Sequence, residues 1–154
     1  MTMRERSLIG LVGAMFFLLA VGIGGIYFAD AAVATDFTAK NIAPCLAHPF
    51  GTDWMGRDMF ARTLRGLALS IGLGIVSAAV SAGIALILGI AAAVLGKKVD
   101  AVISFLIDLV LGIPHILLLI LVTVALGRGF FGVAVGIALT HWPELTRVVR
   151  AEVI

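Results

Sequence analysis

The chain alternates long apolar runs with short polar interruptions. No charged residue occurs from Ser7 to Ala29, from Gly66 to Gly96, from Leu109 to Gly127, or from Gly129 to Pro143. A helix that crosses a bilayer needs about 20 such residues. The first two runs meet that length, the third nearly does, and the fourth crosses only if Arg128 snorkels to the interface. The pattern predicts an all-α, polytopic membrane protein of about four transmembrane helices. These fall at 7–29, 66–96, 100–127 and 129–145, with a polar loop over 30–65. Pro114, preceded by Gly112, predicts a kink in the third helix, because proline removes a backbone donor and clashes with the preceding turn.

Composition supports lipid as the solvent. Of 154 residues, 62% are hydrophobic and 13% charged, and the mean hydropathy is +1.19. Soluble domains run at about 45–50% apolar and about 25% charged, and a small water-borne fold cannot hide so much apolar surface. The net charge of +2 is too small for a nucleic-acid binder. The single cysteine, Cys45, has no internal disulfide partner, and the spacings of Cys/His metal sites are absent.

The N-terminal run follows Arg4 and Arg6, as a signal peptide would. It exceeds the usual hydrophobic length of one and is read as an uncleaved first helix. The distribution of Lys and Arg favours a cytoplasmic N-terminus. Arg4, Arg6, Lys97, Lys98, Arg147 and Arg150 are then inside, and Lys40, Arg57, Arg62, Arg65 and Arg128 outside.

Small residues predict where helices meet. Ser70, Gly74, Ala78 and Ala82 form one register and Ala85, Gly89 and Ala93 a second; Gly132, Gly136 and Thr140 repeat the pattern later. In lipid, such stripes allow the close backbone approach on which association depends.

Chemical candidates are few. Asp108 sits at the edge of the third helix, where a carboxylate is either an interfacial anchor or an intramembrane ion site. His115 follows the kink and His141 opens "HWPELTRVVR". Either could bind a ligand, and His141 beside Trp142 also fits an aromatic belt. No G-x-S-x-G, H-E-x-x-H or P-loop pattern occurs. The expectation is a protein that is not an enzyme, with no catalytic, metal or cofactor-binding residue of its own.

The polar stretch "HPFGTDWMGRD" needs a physical account. Gly51 and Gly56 suit backbone angles closed to other residues. Thr52 or Asp53 can cap a helix starting near Trp54. Arg57 can pair with Asp58 or Asp53, and Arg62 and Arg65 hold the helix start at the interface. The stretch reads as a rigid turn between two spans.

This stretch also carries a family pattern. With the residues that follow, it resembles H-P-[LF]-G-T-D-x-x-G-R-D-x-x-x-R-x-x-x-G, a signature of the inner-membrane permease subunits of ABC importers for dipeptides, oligopeptides and nickel. The matched residues are His48, Pro49, Gly51, Thr52, Asp53, Gly56, Arg57, Asp58, Arg62 and Gly66. "VDAVISFLIDLVLGIPHILLL" and "HWPELTRVVRAEVI" are similar to later stretches of the same family, and the His-Trp pair is nearer its nickel branch.

The resemblance implies the N-terminal portion of such a permease, ahead of the E-A-A loop that docks on the ATPase. It implies a multi-pass subunit of the inner membrane with a second homologous permease, two ATPases that bind ATP, and an extracytoplasmic binding protein. The signature residues would have a structural or docking role outside the membrane; Asp108, Pro114, His115 and His141 would be pathway or hinge residues. The competing reading is a self-contained small four-helix secondary transporter acting as a homodimer, with Asp108 as its ion site.

Overall fold

A computed structural model describes residues 3–153. Its elements are α1 (Met3–Tyr27), α2 (Met59–Val94), α3 (Lys97–Leu111), α4 (His115–Ala125) and α5 (Phe130–Val153), with a single 3-10 turn at Phe37–Ala39. Helices α1 and α2 are long and apolar enough to cross a membrane, and α3 with α4 gives a third span if the bent pair is one. The expected count of four therefore becomes two or three among the described residues. α5 is a continuous helix, but its C-terminal half is too polar to count as a span. The chain divides into two compact units at Gly72 and Leu73, within α2.

In the first unit, α1 exposes nearly its whole circumference, including Leu8, Val12, Phe16 and Ile23. A rod that is apolar all round requires an apolar solvent, and its backbone groups are satisfied within the helix. Only Val21 and Gly25 are buried. A Cβ on Gly25 would collide with the Ala68 side chain and lie 2.9 Å from the Leu64 carbonyl oxygen. That glycine is what allows α1 and α2 to approach here.

The second unit packs the rest of α2 in parallel with α5. The Ser77 hydroxyl donates to the Ala134 carbonyl (3.1 Å) and the Ser81 hydroxyl to the Ala138 carbonyl (3.0 Å), both buried. The contact stripe of α2 is Ser77, Ser81, Ala85, Gly89 and Ala92. The register expected over Ser70, Gly74, Ala78 and Ala82 is instead exposed. It lies about 100° round the helix, one residue away, and composition alone does not separate the two stripes. In α5, Gly132, Gly136 and Thr140 are buried, and the two glycines lie against α4 at the carbonyls of Thr123 and Leu119. Ala92, Ile103, Ile107 and Trp142 form the core where α2, α3 and α5 meet.

The region around Pro114 differs from a kinked rod. α3 ends at Leu111, α4 begins at His115, and the two are bent by 89°. Pro114 is the cap residue of α4, with extended backbone (φ −52°, ψ 123°). A proline at a helix start forfeits no hydrogen bond, whereas one in the interior would. The opposite happens at Pro143, which lies buried inside α5 while the helix runs on to Val153, well past 145. Just beyond it, the Thr146 hydroxyl donates to the Trp142 carbonyl at 2.7 Å.

Gly89 tests this packing. A Cβ there would lie 2.7 Å from the Val149 side chain, whereas one at Gly83 meets nothing within 4 Å. Overpacking a close contact costs about 1–3 kcal/mol. Gly89→Ala is expected to destabilise the detergent-solubilised protein by that amount in thermal unfolding. Gly83→Ala should be neutral or slightly stabilising, because alanine is the better helix former.

Candidate functional site

The loop between α1 and α2 is organised around one carboxylate. Asp53 Oδ1 accepts the backbone N–H groups of Met55 (2.8 Å) and Arg57 (3.0 Å). Asp53 Oδ2 accepts Arg57 Nε (2.8 Å) and Nη2 (2.7 Å), and Arg62 Nη1 (3.1 Å). The Asp53 carbonyl oxygen takes the N–H of Gly56 (2.9 Å) and of Asn41 (3.1 Å). One residue thus closes the turn, holds both arginines and ties in the preceding strand of loop.

Desolvation pushes the Asp53 carboxyl up, but the side-chain bond from Arg57, the two backbone N–H donors and the Arg57 charge outweigh it. Its pKa falls from 3.8 to about 2. Burial also raises Asp58, and the N–H of Ala61, the His48 ring and the N–H of Phe60 more than offset it, for a net lowering. Asp36 is lowered chiefly by the hydroxyl and the N–H of Thr38.

The helix start lies further along than expected. α2 begins at Met59, and its capping residue is Asp58, whose Oδ1 accepts the Ala61 N–H at 2.9 Å. This is the N-cap-to-N3 bond that satisfies an orphan donor of the first turn. Thr52 and Asp53, expected as caps, have other work. Thr52 is buried; its hydroxyl donates to the Ala39 carbonyl (2.5 Å) and accepts the Ile42 N–H (2.9 Å). The remaining Asp58 oxygen lies 2.8 Å from His48 Nδ1. Arg57 pairs with Asp53 and not with Asp58.

Two glycines are required by position. Gly51 has φ +71° and Gly56 φ +74°, in the left-handed region. A Cβ on Gly56 would run into the Asp36 carbonyl oxygen, and one on Gly51 would lie 2.5 Å from that of Ile42. Phe60 packs edge-on against Phe28 and Phe50, with centroids 6.0 and 5.3 Å away, closing the loop onto the end of α1. Trp54, at the tip of the turn, is exposed, as is the free thiol of Cys45. Pro49 lines a small cavity of about 250 Å³ with Phe28, Leu46, Asp58 and Phe60.

The structure therefore brings His48, Gly51, Thr52, Asp53, Gly56, Arg57, Asp58 and Arg62 into one hydrogen-bonded corner. Asp108, Pro114, His115 and His141 belong to the second unit. Asp108 is exposed and paired with Arg147 at 2.6 Å, and Asp100 pairs with Arg150 at 2.6 Å. The His115 and His141 rings lie with centroids 5.1 Å apart. No hydrogen bond joins Ser104 to His115 among the described residues, and no group of three or more His, Cys, Asp or Glu there could hold a metal. Sequence reasoning missed Asp36, whose carbonyl demands the glycine at 56, and the capping role of Asp58. The latter was visible in principle, since Asp directly precedes the continuous helical run.

The described residues thus form a helical membrane protein with a preorganised polar corner between its first two long helices. Comparison with known sequences narrows this. Residues 85–154 match the family described as binding-protein-dependent transport system inner membrane component. The chain is 31% identical over 150 residues to the dipeptide transport system permease protein DppC of Bacillus subtilis (strain 168), covering 97% of this chain and 47% of that protein. It is 39% identical over 119 residues to the probable D,D-dipeptide transport system permease protein DdpC of Escherichia coli (strain K12), covering 77% and 40%. It is 32% identical over 124 residues to the oligopeptide transport system permease protein OppC of Bacillus subtilis (strain 168), covering 77% and 41%.

The chain is a homologue of the permease subunits of dipeptide and oligopeptide transport systems, a family of membrane transport components and not of enzymes. It spans half or less of the length of these relatives.

The Asp53 network predicts an acid transition. A carboxylate whose folded pKa is depressed stabilises the fold above its unfolded pKa and loses that contribution as pH falls through the folded value. For Asp53 the window runs from 3.8 down to about 2, and Asp36 and Asp58 shift in the same direction. In a Trp142→Phe background, Trp54 emission should stay constant from pH 7 to about pH 4 and change below it. Asp53→Asn should show the acid-like emission already at pH 7, because Arg57 and Arg62 lose their shared counter-charge.

Proposed function

We propose that this chain forms part of the permease of an ATP-driven importer of dipeptides or oligopeptides. The observation that carries the reading is the folded signature loop, in which the residues of the family pattern are interlocked around Asp53 and Asp58. The names of the peptide-permease relatives support peptide cargo. The nickel branch is suggested only by the His141–Trp142 dipeptide. In the fold, Trp142 is a core residue and His141 stands beside a single second histidine.

In this reading the subunit binds no ATP. It shapes a pathway whose access alternates when two partner ATPases close, beside a second permease and below an extracytoplasmic binding protein. The N-terminus is cytoplasmic, which places the Asp53 corner on the outer face. There its rigidity is useful: a docking surface that is already ordered loses little conformational freedom on binding.

The secondary-transporter reading loses support, since its ion site would be Asp108. That carboxylate is exposed and already neutralised by Arg147, whereas an ion-coupling carboxylate is expected to be buried and available.

The test is uptake of a labelled dipeptide by cells expressing the gene with its neighbouring transport genes. Uptake should require the ATPases and survive collapse of the ion gradients. Gly56→Val should reduce it by at least about tenfold, the scale of a lost 1.4 kcal/mol interaction, by breaking the corner at Asp36. Uptake that persists without the ATPases and stops with an ionophore would overturn the assignment.

A further inference from the structure

Helix α3 is too short to cross a bilayer by itself. α2 is apolar to its last residue, Val94, and the chain then turns at Gly96 (φ +90°) directly into Lys97 and Lys98. α3 has 15 residues and meets α4 at 89°. At 1.5 Å per residue it is about 22 Å long, short of the roughly 30 Å of hydrocarbon.

Its faces are sharply divided. Ile103 and Ile107 enter the protein core. Asp100 and Asp108 reach Arg150 and Arg147 of α5. A third stripe, Val102, Phe105, Leu106 and Leu109, is 60, 66, 41 and 57% exposed. Its spacing of i, i+3, i+4 and i+7 is that of one continuous helix face.

An upright α3 that starts at the surface with Lys97 and Lys98 would set Asp108 about 12 Å deeper than Asp100, which would sink the exposed Asp108–Arg147 pair into hydrocarbon. A helix lying flat keeps both at the surface and lets the apolar stripe reach the acyl chains. Lys97 and Lys98, at its start, carry the charge that complements anionic headgroups.

We propose that α3 is an interfacial helix. It lies in the plane of the bilayer on the side where α2 ends, with the Val102–Leu109 stripe at the boundary of headgroups and acyl chains and the two lysines among lipid phosphates. The bilayer surface, and not a second protein, covers this stripe. This inference does not depend on the transported cargo.

The test is spin-label depth measurement. In a Cys45→Ser background, nitroxides are placed singly by Val102→Cys, Phe105→Cys, Leu106→Cys and Leu109→Cys. The full chain is reconstituted in phosphatidylcholine vesicles containing phosphatidylglycerol. All four labels should be accessible to oxygen, shielded from a water-soluble nickel chelate, and within about 5 Å of one another in depth, as for a flat helix. A steady depth change of about 10 Å from 102 to 109 would mean an upright span and overturn the proposal. Labels closed to both reagents would mean a protein covering, and labels open to the nickel chelate would mean an aqueous surface; either result also overturns it.

Discussion

In lipid, apolar side chains gain nothing by leaving solvent for a neighbouring helix, so each helix contact here has to come from close approach or from a hydrogen bond to backbone. The fold meets this constraint with the second lone pair of the carbonyl oxygen. Ser77 and Ser81 donate to the carbonyls of Ala134 and Ala138 across the helix pair, and Thr146 donates to Trp142 along its own helix. Such contacts form only where small residues let the backbones close in. For that reason the stripe from Ser77 to Ala92 consists of serine, alanine and glycine, while Ile75, Leu86, Ile87 and Ile90 of α2 are exposed.

The loop before α2 obeys the same economy in water. Its ionic groups are spent on one another: Asp53 on Arg57 and Arg62, Asp58 on His48 and on the helix start. Exposed ion pairs in isolation contribute little. Here the carboxylates also accept backbone N–H groups, so charge and turn geometry reinforce each other. The result is a corner with few ionic groups left over and with apolar side chains such as Phe37, Leu46, Phe50 and Trp54 outside. That inversion suits a surface that meets another surface.

Much of this was legible in the sequence. The apolar runs place α1 and α2, because a period of apolar length is a strong signal. The glycines at 51 and 56 announce left-handed backbone, and the Asp/Arg spacing announces a network. The partners within that network were not legible. Thr52 and Asp53 were plausible caps on paper, but the Asp53 oxygens are taken by Met55, Arg57 and Arg62 and the Thr52 hydroxyl by Ala39 and Ile42, which leaves the cap to Asp58. The same holds for the two small-residue registers of α2, which differ by one residue. The bend at Pro114 was misjudged because a proline can kink a helix or begin one, and the distinction depends on where the preceding helix is tied down.

That tie is the pair of salt bridges from α3 to α5. Arg147 and Arg150 are three residues apart on α5, while their partners Asp108 and Asp100 are eight residues apart on α3. Along straight helices these separations are about 4.5 Å and about 12 Å. The long arginine side chains take up the difference, so the two pairs join α3 to α5 at two separate points. The ion pairs therefore hold α3 on α5 ahead of the break at Gly112–Pro114. Neutralising either aspartate would leave an arginine of α5 without its counter-charge and remove one of the two ionic attachments of α3. Asp100 and Asp108 thus serve as ionic attachments of α3 to α5, and their charge is engaged in that role.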